Sequence, residues 1–475
     1  MKKILLVFFF SFQLVQSQER VLEFNVNLNK NSEVFNVIDE TTGNTALFTL
    51  KGRQLEAFLF DDSFNEIGTI EPEKIPNKFD NFSGYIIENK KFHLFLSNTK
   101  KDKFAKIFLD FSSGESSFNE ISLDLKEEKF LESISHNDSY FIFTLPDGSE
   151  VIKVYRFTQA NPPTITSVNF SSAYYLNDKN RPAKLNDLFI AYKGFSKVIE
   201  MGKMEMDQPN SIQQASKNVK TFVTGNKLII TLDENHYFTF LLEINLEDFQ
   251  GTVERIEKPR LSEEINHTSS NSFVLDNHIY QIITTKDAIK FHVVDLENDK
   301  VINSHSVSRD EEIYFKNTPI IQEGGFYTSH REYDKTAKFI RKMKNLPVAI
   351  TALEQDGKFQ ITMGSSLEKQ ATPMMGGFGM AGAMVSVAPG MAVGFNPMFF
   401  GYKTYSFSRT VEIKGLFDKE YNHLEGDINP HIFEKIKEVA ERYEHISAET
   451  IFRKKDTIYW GYHDNYNNVY NIYRM

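Results

Sequence analysis

The chain contains no cysteine in 475 residues and a single tryptophan. The first absence excludes disulfides, thiolate metal sites and cysteine nucleophiles together. Stability must therefore come from packing and hydrogen bonding. Basic charge is in deficit, with 54 Lys and Arg against 64 Asp and Glu, a net charge of -10 and a pI near 5.7. That balance argues against a nucleic-acid binder, which shows a basic face. The apolar run Ile4–Phe12 is too short to cross a bilayer, which takes about 20 residues. Glycine (24) and proline (14) are unexceptional, excluding collagen-like and disordered chains. What is abundant is aromatic: 43 Phe and 20 Tyr, residues that favour strands.

The N-terminus opens with Met1-Lys2-Lys3, an apolar run from Ile4 to Phe12, and Gln13-Leu14-Val15-Gln16-Ser17. A basic start, a short apolar stretch and a small residue before a polar one compose a secretory signal peptide. Residues 1–17 are expected to be removed, leaving Gln18 as the mature terminus and 18–475 as one domain. No cysteine follows, so a cysteine-anchored lipoprotein is excluded. The expected location is the periplasm or an envelope-associated site.

A unit then repeats: a two-residue turn signal, an apolar strand, a polar turn, a second apolar strand. It starts at Gly43-Asn44, Asn89-Lys90, Asn137-Asp138, Asn186-Asp187, Gly225-Asn226, Asp276-Asn277, Asp356-Gly357 and Lys455-Asp456, the fourth being the weakest. The first six begin about 40 to 50 residues apart, the period of four-stranded propeller blades. The reading is an all-β fold, a β-propeller of seven or eight blades, with two stacked β-sandwiches as the competing architecture. Val21–Leu28 alternates as a strand before the first full unit. It is expected to pair with Val469–Tyr473, join the chain's ends and remove exposed edges.

Three segments depart from the repeat. Gln370–Tyr402 has no charged residue and holds six of the 13 Met, with seven Gly and three Pro. Neither a long helix nor a regular strand fits it, and its glycines and prolines exclude a membrane span. Two main readings stand: it folds back to plug or cover the body, or it is a docking arm, since Met-rich surfaces suit adaptable binding; surface contact of this apolar loop with an envelope membrane is the minor alternative. The arm would bind an envelope protein through Met374, Met375, Phe378, Met380, Met384, Met391, Phe395, Met398 and Phe399. The segment is read as interrupting a hairpin between KFQITM and KTYSFS, so replacing Pro373–Pro397 by a linker is expected to spare the fold. The second departure, 418–449, predicts a helix capped by Asn429 with Pro430 at its first position and Phe433, Ile436, Ala440 and Tyr443 on one face. It is expected to pack on the rim between two blades. The third is the basic stretch Lys335, Lys338, Arg341, Lys342 and Lys344. Its expected apolar stripe is Ala337, Ile340 and Met343 or Lys344. A charge run of this kind is usually a solvated face; a basic amphipathic helix also suits a membrane surface.

No motif carries chemistry. The 12 histidines form no H-x-H or H-x-x-x-H pair, and there is no nucleophile elbow, phosphate loop or zincin sequence. Asp178-Lys179-Asn180 lacks the glycine and glutamate of a calcium loop. No catalytic residue, metal site or cofactor is assigned. Asp147, Asp233 and His236 fall in hairpin turns where a propeller mouth would lie, though turn geometry alone accounts for such residues.

From Thr336 onward, FIRKM, PVAITALEQDGKFQITMGS, the uncharged stretch and DKEYNHLEGD together resemble exported proteins of Bacteroidota-type bacteria. The resemblance covers roughly the last third, implies an envelope setting, and carries no activity or site residue. Two functions of different class follow: a non-enzymatic envelope propeller that binds a partner, or a secreted hydrolase or lyase acting on polysaccharide or peptide at the propeller mouth.

Overall fold

The computed structural model describes residues 19–159, 162–193, 196–261, 268–324, 330–343, 346–367, 391–392 and 395–475. Among the described residues sixteen non-glycine positions have positive φ, and most sit in turns between strands. Asn89 and Lys90, and Asn137 and Asp138, both adopt positive φ, the geometry of two-residue hairpins whose twist matches their strands. The turn signals thus do the work the sequence assigns to them.

Seven sheets of four or five strands result. Blade one is Glu33–Ile38, Thr45–Lys51, Gln54–Phe60 and Glu66–Lys74; blade two is Asn81–Glu88, Lys91–Ser97, Phe104–Asp110 and Glu115–Ile121. Blade three is Glu128–His136, Ser139–Pro146, Val151–Phe157 and Thr164–Asn169. Blade four is Val219–Thr224, Lys227–Leu232, Phe238–Asn245 and Gly251–Glu257, with Met201–Met204 added in parallel to its first strand. Blade five is Ser269–Leu275, His278–Thr284, Ala288–Asp295 and Lys300–Ser308. In blade six, Val348–Gln355, Lys358–Ser366 and Thr410–Phe417 are completed by the earlier strands Ile320–Glu323 and Arg331–Tyr333. Blade seven is Ile446–Lys454, Thr457–Asp464 and Val469–Arg474, closed by Glu19–Asn25.

Hydrophobic clusters tie these sheets in sequence: one with two, two with three, three with four, four through six, and seven with one. Two helices, Pro397–Phe407 and Ile432–Ala440, bury Met398, Tyr402, Phe433 and Ile436 against Trp460 and Tyr462 of blade seven, and Lys414 of blade six donates to Tyr405 and Glu434 on them. The fold is a β-propeller. Second strands such as Thr45–Lys51 and Ser139–Pro146 are buried along nearly their whole length because each lies between two neighbouring sheets. Gly84 marks how tightly the sheets stack, since a Cβ there would lie 2.4 Å from the Tyr140 ring.

Closure follows the expected pairing, shifted toward the N-terminus. Arg20 pairs with Tyr473, Leu22 with Ile472 and Asn25 with Val469, with a bulge between Arg20 and Leu22. Val26 and Leu28 leave the strand but stay buried in the cluster joining blades seven and one.

Four local expectations are corrected. The fourth repeat is no blade: Asn186-Asp187 lies in the short helix Leu185–Leu188, and the following strands form only a two-stranded ribbon. Its apolar residues Leu185, Leu188 and Phe189 instead fill the core between blades three and four. KTYSFS is helical, because Asn396 caps and Pro397 starts a helix that runs to Phe407; the strand pairing with KFQITM is Thr410–Phe417. The helix of the second departure is capped by His431 rather than Asn429, with Glu434 returning the hydrogen bond, and it buries Phe433, Ile436 and Val439. Ala440 and Tyr443 pack against the same cluster from its edge. The basic helix Thr336–Met343 buries Ile340 and Met343 as expected, but Thr336 and Phe339 complete the stripe and Ala337 is only half-buried.

Candidate functional site

Antiparallel strands sort the connections by end. The turns from first to second and from third to fourth strand share one end of the ring. There the chain is trimmed: two-residue turns at Asn89-Lys90, Asn137-Asp138, Gly225-Asn226, Asp276-Asn277, Asp356-Gly357 and Lys455-Asp456, and short turns such as 61–65, 111–114 and 246–250. Second-to-third turns and blade-to-blade connections reach the other end, although 418–445, which follows a third strand, first turns at the trimmed end through 418–422. All five helices among the described residues lie in those connections, within 170–218, 309–347, 367–409 and 418–445. One end is minimal and the other carries the insertions.

The returning half of the uncharged segment is anchored at the axis. Glu33, on the innermost strand of blade one, accepts the backbone N–H groups of Met391 and Ala392 at 3.0 and 2.9 Å, one on each carboxylate oxygen. The Met391 carbonyl accepts from the Phe82 N–H of blade two at 2.8 Å. Asn396 accepts from the N–H groups of Met398 and Phe399 and donates to Asn36 of blade one at 2.9 Å, to which Thr450 of blade seven also donates at 3.1 Å. The Phe395 ring lies 4.9 Å from Phe35, 5.9 Å from Phe82 and 5.6 Å from Tyr85. Innermost strands of three blades, one, two and seven, converge on residues 391–392 and 395–396.

A polar cleft lies between blade six and the two helices, lined by Asn210, Thr351, Gln360, Thr362, Tyr405, Ser408, Glu412 and His431 among others. Burial is the first cause that raises the Glu412 carboxyl, and burial with the nearby Glu412 and Glu434 charges lifts the Tyr405 hydroxyl well above its usual value. Tyr405 donates to Glu434 at 3.0 Å, and Lys414 donates to the same oxygen at 2.6 Å and to the Tyr405 hydroxyl at 3.1 Å. His431 is 2% exposed, and burial lowers its imidazole to about 4. Its Nδ1 accepts from the Glu434 N–H at 3.4 Å, so the proton of the neutral ring sits on Nε2. That Nε2 has no hydrogen-bond partner; Glu434 Oε1 is 3.7 Å away. These are the groups of acid–base chemistry, but the free space is about 20 Å³, room for one water.

Of the turn residues singled out from sequence, Asp147 is a surface partner of Lys129 at 2.5 Å. Asp233 and His236 join one buried network between blades four and five. Asp233 accepts from Lys220 at 2.7 Å, Ser272 at 2.7 Å and Thr239 at 2.8 Å, and pairs with Lys258 at 3.0 Å. Lys258 also donates to Ser270 at 3.2 Å, and Ser270 is 3.3 Å from His236 Nδ1. Burial pushes the Asp233 carboxyl up, but the two ammonium groups outweigh it and hold it far below the usual range. The network is saturated with partners and clamps blades rather than meeting solvent.

Among the nine apolar side chains named for a docking arm, Met374, Met375, Phe378, Met380 and Met384 lie outside the described residues. Met391, Phe395 and Met398 are buried in intramolecular cores, and Phe399 packs against the core of the two helices. Of the basic stretch, Lys344 is outside the described residues. Among the described residues no group of three His, Asp or Glu is placed to hold a metal ion. Sequence reading missed His431 and Glu412. The H-x-x-E spacing of His431 and Glu434 was the visible signal for the first; nothing local marks the second.

No protein-family model matches the chain, and no curated protein does. Among solved structures it is similar to the WD40 domain of SCAP from fission yeast, at 7% identity and a TM-score of 0.31, over 95% of this chain and 87% of that one. It is also similar to one of two structurally analysed prolyl endopeptidases (10%, TM-score 0.26, 92% of this chain and 55% of that one). A third is AztD of Citrobacter koseri (12%, TM-score 0.27, 59% and 64%). The chain spans less than two thirds of the length of the last two. Likenesses this distant carry no functional argument; the propeller rests on the sheets themselves.

Proposed function

We propose that this is an exported, non-enzymatic propeller serving as a binding or scaffold module of the cell envelope, with the end that carries the insertions as its contact surface. The carrying observation is the asymmetry of the two ends. A ring held by seven sheets positions connections, and connections held by a rigid scaffold are where recognition concentrates. The stretch from Gln370 to Gly390, uncharged and rich in Met and Gly, runs between two fixed points, Leu367 packed on blade six and Met391 held by Glu33. A tether of this kind keeps an adaptable apolar surface at one place on the molecule.

The test replaces residues 373–390 by a short Gly/Ser linker and compares envelope proteins co-purified with the tagged full and trimmed chains. The reading expects equal melting temperatures and loss of a specific partner. Equal recovery of every partner by both would overturn it. The second reading, a hydrolase or lyase acting on polysaccharide or peptide, draws its support from the neutral His431 beside Glu412. It requires the cleft to widen well beyond one water, and activity lost on His431→Ala at unchanged melting temperature would favour it.

A further inference from the structure

Six of the seven joints between neighbouring blades are closed by a hydrophobic cluster that holds strand residues of both blades. The joint between blades six and seven is different. Among the described residues no cluster spans it, and the one built on the two helices reaches blade seven alone. The second strand of blade six, Lys358–Ser366, sends Phe359, Ile361 and Met363 into the core of blades four to six. By the alternation of a strand, Gln360, Thr362 and Gly364 look the other way. Thr362 lies in register between Thr351 and Lys414, and Gly364 beside Glu412. This second face therefore carries hydroxyl, amide, ammonium and carboxyl groups.

Four of the groups around it have no partner. Thr351, Gln360 and Thr362 are each less than a tenth exposed, and among the described residues none of their side chains makes a hydrogen bond. The Nε2–H of the buried His431 is likewise unbonded. All four residues line the same cleft. An unmade hydrogen bond on a buried polar group costs stability, so native folds rarely keep several together without a use for them. The charged neighbours are already engaged: Lys414 donates to Glu434 and to Tyr405, and Glu412 accepts from Thr410. What is left to satisfy is uncharged.

We propose that this cleft binds a neutral saccharide, taking one of its hydroxyl groups into the space beside Thr351, Gln360, Thr362 and His431. A hydroxyl both donates and accepts, which matches the set: the His431 N–H only donates, while the threonine hydroxyls and the Gln360 amide do either. The free space of about 20 Å³ admits a group of that size. An anion there would face Glu412 and Glu434, and a cation would face Lys414 and the His431 N–H. A peptide carbonyl accepts but cannot donate, whereas every ring of a neutral saccharide offers several hydroxyls. The inference uses the same cleft as the hydrolase reading but needs no catalysis, so the two can fail separately.

The experiment is titration calorimetry of the purified chain with maltotriose, cellotriose and triacetylchitotriose, beside trigalacturonate and a blocked glycine peptide. The expected result is binding of at least one neutral trisaccharide in preference to the charged sugar and the peptide. Thr362→Val and Gln360→Met remove the unbonded groups at nearly constant volume. Each should weaken that binding about fivefold, the loss of one uncharged hydrogen bond. Because neither group has a partner within the fold, neither variant should melt lower than the parent. Absence of binding by all three neutral sugars, or unchanged affinity in both variants, would overturn the proposal. Lower melting of both variants without any change in binding would also overturn it, since the cleft would then hold structural water only. Tighter binding of trigalacturonate or the peptide would assign the cleft to another ligand class. The His431→Ala test reads turnover rather than affinity, so its result stands apart from these.

Discussion

At Asp233 two ammonium groups and two hydroxyls converge on a carboxylate that has no exposure to solvent. Removing the carboxylate strands Lys220 and Lys258 inside the protein, both 0% exposed at the side chain. Asp233→Ala should therefore cost about 3–5 kcal/mol, measured by denaturant unfolding. A loss under about 1 kcal/mol would mean the lysines find other partners. The adjacent Glu234 shows the opposite case. Burial, then the charges of Asp178 and Asp187, raise its carboxyl to about 7. Its folded pKa exceeds the unfolded value, so its contribution is fully present below about 4.5 and is lost as pH rises through 7. Glu234→Gln should raise the melting temperature at pH 8 and make no difference near pH 4, an effect on the order of 1 kcal/mol once partial exposure is allowed for. His93, His292 and His431, each lowered to about 4 by burial, oppose this trend by losing stability as pH falls from about 6.5. The difference between variant and parent isolates Glu234 from them.

Among the elements, the returning half of the uncharged segment decides where the insertion can be cut. Phe395 is 6% exposed amid three aromatic rings, Glu33 holds the backbone N–H groups before it, and Asn36 accepts from the Asn396 side chain after it. Phe395→Ala should cost about 3–5 kcal/mol. Replacing 373–390 should leave melting unchanged, whereas a cut extended to Pro397 removes the buried Met391, Ala392 and Phe395 and should lower it by many degrees, as scanning calorimetry would record. Equal melting of the two deletions would show that 391–397 adds nothing. The earlier boundary, read from sequence, failed because KTYSFS has the alternation of a strand, while Asn396 and Pro397 set a helix whose Met398 and Tyr402 are needed against blade seven. What sequence made visible was the middle of each blade. TALFTL, SYFIFTL and HIYQII are buried on both faces and read as continuous apolar runs. Outer strands such as ESSFNEI and GTVERIE are exposed edges and carry almost no apolar signal. The fourth unit was misleading because its apolar residues serve a neighbouring core without building a sheet. The cleft was illegible for a different reason: Glu412 and His431 meet only after two helices dock, and no local pattern encodes that encounter.

The whole molecule is a ring with unlike ends, closed by seven residues from the chain's beginning. Deleting Glu19–Asn25 would leave Val469–Arg474 as an unpaired edge, so the shortened protein should melt lower and scatter light on heating. An unchanged melt would show that blade seven does not need its fourth strand. The trimmed end gathers Asp61, Asp62, Glu247, Asp248, Glu297 and Asp299 in its third-to-fourth turns, while the basic helix sits where the insertions are. The central claim is that one end meets the outside world and the other serves the fold. Hydrogen exchange measured on the full chain, alone and with isolated envelope material, addresses it directly. The account predicts added protection in peptides covering 335–344 and 368–390, and none in the turns at 61–65, 89–90, 137–138, 246–250 and 296–299. Protection appearing in those turns while 335–344 and 368–390 stay unchanged would contradict it.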